Sequence, residues 1–282
     1  MAEEINPLDY TKLPWAPAST KEIHNFYNSQ FLTLVLGNPQ YLFPENITEF
    51  ALQLSEPVNT VEGARDFIRR TNVDLNTPAK LRAICQDLVN NDPQNRILSH
   101  SPLQGLYFRL NDIIDHGWLL AFDIDAKHIA QRGLCSCHSS AKNNDLSILP
   151  PDGYPYCFNC LFMTIQFAYQ IKAIFTEWGF DQNNISLYYS GQGCHVHVHD
   201  PMCWNFNLVP RKHIQQILVD QYKIPLDPVV TCDSSRVLRY PGSLNAKVNI
   251  PVLKLTEENP RHAFEKVIKY VKRRTASSYL VN

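Results

Sequence analysis

The chain has 282 residues, 44% hydrophobic and 19% charged, enough to bury a sizeable core and too apolar for a disordered tract. Lys and Arg number 26 against 27 Asp and Glu, a formal net charge of -1, so no global basic excess marks a nucleic-acid binder, although a neutral total is compatible with a local basic groove. "MAEEINPLDY" is acidic and lacks the apolar core of a signal peptide, and the richest apolar stretch, "CLFMTIQFAYQIKAIF", is broken by Gln166, Gln170 and Lys172. These features predict an intracellular protein with no membrane partner.

In chain order, about the first 110 residues read as mainly helical. "VEGARDFIRR" (61–70) and "AKLRAICQDLVN" (79–90) carry apolar residues at helical spacing, the second behind an Asn76-Thr77-Pro78 start signal. "GWLLAFDIDAKHI" (117–129) reads as a buried strand that ends in carboxylates. Residues 130–160 lack periodicity and are rich in Gly, Pro, Asn and Ser, as a loop is. The strongest helix follows over 161–178, stopped by Gly179. "ISLYYS" and "CHVHVHD" form a hairpin around Gly191 and Gly193, a helix covers "PRKHIQQILVDQY" (210–222), and a last helix spans about 260–274. The tail "KYVKRRTASSYLVN" is basic and then polar, compatible with a linker or a simple end. The class expected is α+β with a mixed or antiparallel sheet, in one domain over 1–282.

Three constellations carry chemistry. Asp123 and Asp125 lie two apart, so on a strand they share one face while Phe122 and Ile124 enter the core. Paired carboxylates suit hard divalent cations such as magnesium or manganese, and the apolar "WLLAF" before them argues burial, which is costly without a cation. Cys157 and Cys160 form C-x-x-C, and Cys135, Cys137 and His138 supply more than the two ligands a four-coordinate structural zinc still needs. No thioredoxin-like pattern supports a redox role instead, and Cys85, Cys194, Cys203 and Cys232 read as small apolar packing groups. The third constellation joins "SGQGCHVHVHD" (190–200) to "TCDSSRVLRYPGSLNAK" (231–247). A Ser190-Gly191-x-Gly193 turn presents backbone N–H groups where anions bind, with His195 at its edge, and His195, His197 and His199 share one strand face. Arg236, Arg239 and Lys247 add cations and Asp233 a third carboxylate, a set suited to a nucleoside triphosphate with its metals.

In this order, D-x-D, a cysteine knuckle, C-x-x-C running into a long helix, Ser-Gly-x-Gly-x-His, and Asp with R-x-x-R-x-P-x-S-L and Lys resemble the catalytic small subunit of archaeal and eukaryotic primases. "NFYNSQF" and "TEFAL" are thinner matches upstream, and the resemblance is specific from about 118 to 250. It implies a primase-type catalytic core over about 118–255 with a zinc-knuckle insertion over about 134–161. It also implies a metal-binding role for Asp123, Asp125 and Asp233, with the triphosphate held by Ser190, Gly191, Gly193, His195, Arg236, Arg239 and Lys247. Two Mg2+ or Mn2+ ions, a structural zinc, ribo- or deoxyribonucleoside triphosphates and a single-stranded DNA template follow as cofactors and partners, with a large subunit, helicase or polymerase as a further one. The compartment would be cytoplasm for an archaeal, plasmid or viral source and nucleus for a eukaryotic one. The chain departs from the family in three places. The turn is one residue shorter and lacks an arginine, Asn245 stands where a histidine is common, and Thr48 where an arginine is usual.

Two other readings come from different classes. A zinc-bearing module could bind nucleic acid with structural aspartates, and "HVHVHD" approximates the metal motif of metallo-β-lactamase-like hydrolases, with His and Asp exchanged at its end.

Overall fold

The computed structural model describes residues 18–36, 49–60, 63–71, 103–109, 111–114, 117–135, 157–233 and 236–278. Among them the fold is α+β, and every strand pair is antiparallel.

The central sheet has the order β12-β7-β8-β6, formed by β6 (Leu120–Asp125), β7 (Ile185–Tyr189), β8 (Gly193–Val198) and β12 (Leu253–Leu255). Alternation decides its two faces. Leu120, Phe122, Ile124, Cys194, Val196 and Val198 enter one hydrophobic core, which includes eight buried side chains of α4 (Phe158–Glu177). Phe122 packs edge-on to Phe175 at 5.6 Å. The opposite face carries Asp123 and Asp125 on β6 and His195 and His197 on β8, with Asp123 directly opposite His195 and Asp125 opposite Gly193. α4 ends at Gly179, whose φ of +94° is the left-handed stop that the sequence predicts. The short α3 (Ala126–Gln131) leaves β6 with Asp125 as its N-cap, the carboxylate accepting from the Lys127 N–H at 3.0 Å. α5 (Leu208–Asp220) and α6 (Pro260–Ser278) match the two later predicted helices.

A second sheet has the order β2-β1-β3-β9, from β1 (Glu49–Thr60), β2 (Gly63–Thr71), β3 (Leu103–Arg109) and β9 (Val237–Arg239). Residues 63–70 of "VEGARDFIRR", with Thr71 after them, are strand, not helix, paired with β1 from Thr71 opposite Glu49 to Gly63 opposite Thr60. Val61, Ala64, Phe67 and Ile68 fit a helical stripe over two turns, but so short a window does not separate the two periods, and sheet partners decided the outcome. Strands at 49–60 and 103–109 further reduce the helical share expected of the first 110 residues; the proposed helix at 79–90, Cys85, Thr48, Cys137 and His138 lie outside the described residues.

The N-terminal segment is helical, with α1 (Thr20–Asn25) passing through a π-helical turn (Phe26–Gln30) into α2 (Phe31–Leu36). Ser19 and Glu22 close a capping box at its start. Phe26, Tyr27 and Phe31 are buried, and Phe31 meets Tyr240 edge-on at 6.3 Å. None of the described helices is long and apolar enough to cross a membrane.

Candidate functional site

A cleft of about 470 Å³ opens on the polar face of the central sheet. It is lined by Asp123, Asp125, Asp227 and Asp233, by Lys127, Arg236, Arg239 and Lys247, and by Ser190, Gln192, Gly193, His195 and Asn245, with Val230, Val237 and Leu238 as its apolar part. Nine of the ten predicted catalytic and nucleotide-binding residues therefore meet in one place; Gly191 shapes the turn rather than lining the cleft.

The carboxylates arrive by two routes. β6 delivers Asp123 and Asp125, and because β6 is the edge of its sheet, the segment after α5 docks along its free side. The Asp227 N–H donates to the Asp123 carbonyl at 2.9 Å, and the Thr231 hydroxyl to the Ala121 carbonyl at 2.9 Å. Asp227 also accepts from the Val229 N–H at 2.8 Å, starting the turn that brings Asp233 round to the cleft. Burial first, then the charges of Asp125 and Asp227, raise the Asp123 carboxyl to about 8, although 22% of its side chain stays open to the cleft. Lys127 pairs with Asp125 at 2.9 Å. Carboxylate oxygens crowded around Asp123 are the donor type that a hard divalent cation takes. The three predicted aspartates do not close as tightly as a single-ion cage: among the described residues, the only group of three metal-ligand atoms within 4.8 Å of one another is a cysteine cluster.

The turn between β7 and β8 is set by its glycines. Gly191 has φ +93°, and a Cβ there would stand 2.7 Å from Val248 Cγ2. At Gly193 a Cβ would fall 2.2 Å from the Ile124 carbonyl, so β8 approaches β6 this closely only with glycine. His195 beside the turn has its Nε2 3.7 Å from Asp123 Oδ1. Burial, then the Arg239 charge, push the imidazole down to about 3, so it is neutral at ordinary pH. Arg239 comes from β9 opposite Tyr107 of β3, and this is how the second sheet reaches the site.

His197 is fully buried, its ring stacked 6.0 Å from His195 and tilted against Tyr188 at 4.7 Å. His199 lies 6.0 Å further along. The imidazoles run in a row along β8 and just past it, and among the described residues their nitrogens form no group of three ligand atoms within 4.8 Å of one another.

Behind the site, Cys135 after α3 and Cys157 and Cys160 at the start of α4 are buried together and free of disulfides. Their sulfurs are 3.6 Å (Cys135 to Cys157) and 3.8 Å (Cys157 to Cys160) apart. Tetrahedral thiolates bound at about 2.3 Å stand about 3.8 Å from one another, so the cluster is shaped to hold a metal ion. Of the other cysteines, Cys194 and Cys203 are buried as expected, while Cys232 is partly exposed and donates to Gln215 Oε1 at 2.9 Å.

Sequence reasoning missed Asp227, Lys127 and Gln192, and it gave Asn245 no bond to make. "LDP" before Val229 carried a turn signal, yet nothing local says that this turn docks on β6. No protein-family model matches the chain, and no curated protein shows significant similarity to it.

Proposed function

We propose that the chain is a template-directed nucleotidyltransferase of the primase type, which joins nucleotides into short primers on single-stranded DNA. The observation that carries this reading is the convergence of Asp123, Asp125 and Asp233 with a glycine turn, a neutral buried histidine and the cations Arg236, Arg239 and Lys247 in one cleft. Carboxylates alone would suit many metal sites; carboxylates beside an anion-binding frame suit a metal-bound polyphosphate.

Asp123, Asp125 and Asp233 would hold Mg2+ or Mn2+, which when bound supplies charge neutralisation between an attacking 3′-hydroxyl and the α-phosphate. Arg239, Lys247 and the 190–193 turn bind the triphosphate oxygens, and His195 adds a hydrogen bond without adding charge. Val230 and Leu238 offer an apolar surface to the nucleoside, and a template strand lies against the cleft's basic rim. Cys135, Cys157 and Cys160 hold a structural zinc, with Cys137 or His138 as fourth ligand, fixing the start of α4 behind β6.

The test is primer synthesis by the purified chain on unprimed single-stranded DNA with Mg2+ or Mn2+, comparing labelled ribo- and deoxyribonucleotides, alongside Asp123→Asn. The expected result is short products that the variant does not make. Retained DNA binding without synthesis in the wild type, on primed and unprimed templates alike, would favour the non-catalytic module instead.

A further inference from the structure

Resting on that reading of the cleft, we propose that Asn245 is a positioning residue that ties the phosphate-binding turn to the Lys247 backbone, and that the cleft's affinity for a polyphosphate depends on this tie.

Asn245 is 2% exposed and uses both ends of its amide. Nδ2 donates to the Ser190 carbonyl at 2.9 Å, and Oδ1 accepts from the Lys247 N–H at 3.3 Å. The fit is close: a Cβ on Gly191 would lie 3.2 Å from Asn245 Nδ2. Two further donors engage the next two carbonyls of the turn. The Tyr189 hydroxyl donates to Gly191 at 3.0 Å, and the Ala126 N–H to Gln192 at 3.0 Å. Three consecutive carbonyls are thus held by protein donors, and in a planar trans peptide the N–H that follows each carbonyl points the opposite way. The N–H groups of residues 191–193 are turned from those donors by the same bonds, the polarity an anion requires.

Of the three ties, those from Tyr189 and Ala126 belong to the hairpin and to the helix after β6. Asn245 comes from β10 (Leu244–Asn245), a short strand paired with β11 (Ile250–Pro251). This loop has its own anchors on the N-terminal helices: the Leu244 N–H donates to the Tyr27 hydroxyl at 3.2 Å, the Ala18 N–H to the Ala246 carbonyl at 2.7 Å, and Asn249 Nδ2 to Glu22 Oε1 at 2.9 Å. Truncating Asn245 leaves the loop in place and releases the turn. With each end of its amide on a protein partner, Asn245 acts on a phosphate through the turn and through Lys247, and the exchange rate over the turn is the readout that a direct contact would leave unchanged.

The experiment measures binding of inorganic tripolyphosphate by calorimetry and amide hydrogen exchange over 189–194, on the full chain and on Asn245→Ala, Asn245→Ser and Lys247→Ala. Asn245→Ala is expected to bind about tenfold more weakly, the loss of roughly one net hydrogen bond, and to exchange faster over the turn. Asn245→Ser, which keeps one hydroxyl, falls between wild type and alanine, and it decides the question if the alanine variant does not fold. Lys247→Ala weakens binding with exchange over 189–194 unchanged. Binding by the Asn245 variants within twofold of wild type overturns the proposal while leaving the cleft a phosphate site. A wild-type chain that binds no tripolyphosphate overturns both the proposal and the phosphate reading.

Discussion

The carboxylate cluster and the glycine turn are neighbours, Asp125 lying directly opposite Gly193 across β6 and β8, yet they are built on opposite terms. The turn is saturated: donors from a tyrosine, an asparagine and a helix start hold its carbonyls, and the loop beside it is fastened to the N-terminal helices. Asp123 is under-compensated. Its carboxyl is recessed among like charges, which Lys127 and then Arg236 only partly offset. A group of donors can be finished by the fold alone, because neutral hydrogen bonds close locally; crowded, recessed acids must instead keep a proton or take a counter-charge. The contrast separates a half finished by hydrogen bonds from a half left with crowded charge.

Breaking the acidic half should have the largest effect. Asp123→Asn removes a ligand charge while keeping shape, and nucleotide incorporation is expected to fall below about one hundredth of wild type, as for other groups that stabilise charge at a reacting centre. Tripolyphosphate binding measured without metal would hardly change, which separates the two halves.

Next in size is the scaffold behind both. Cys160→Ser, or prolonged chelation, is expected to lower stability by about 3 kcal/mol or more, since metal binding at a structural site is folding free energy. For a domain of this size that is a drop of about 10 °C in the unfolding midpoint. One zinc per chain by elemental analysis, lost in the variant, would accompany it; an unchanged midpoint would detach the cysteines from the fold.

The third sharpens the contrast by pH. The folded Asp123 carboxyl titrates at about 8 against 3.8 for the ordinary group, so the folded chain keeps a proton that the unfolded chain releases. Stability from this group is complete below about pH 4 and is lost as pH rises toward 8, so metal-free protein should weaken over that window while Asp123→Asn does not. Parallel denaturation curves for the two proteins across the window would refute it.

The smallest effect concerns Lys127. Its ammonium neutralises Asp125, so Lys127→Met should tighten Mn2+ binding by about threefold to tenfold, a modest change because an exposed pair is screened. Weaker Mn2+ binding would mean that Lys127 supports the cation site instead of competing with it.

Much of this was legible in the residues. Alternation in "AFDIDAK" and "CHVHVHD" assigns the core and polar faces because a strand's period leaves no choice, and C-x-x-C and the glycine turn have spacings set by local geometry. What escaped depends on distant partners. Residues 63–71 became a strand through pairing with 49–60, where a two-turn apolar stripe had suggested a helix. Asp227 reaches the site because β6 has a free edge, and Asn245 braces a turn 55 residues earlier in the chain. "NFYNSQF" shows as an aromatic cluster, but its service to the loop that carries Lys247 exists only in the folded arrangement.

The central claim is that the two halves take one ligand, a metal-bound triphosphate. The most direct measurement is calorimetric titration of a nucleoside triphosphate with and without Mn2+, on wild type and Asp123→Asn. Binding that Mn2+ strengthens at least tenfold in wild type and leaves unchanged in the variant is the predicted result. Equal affinity with and without Mn2+ in wild type would contradict it.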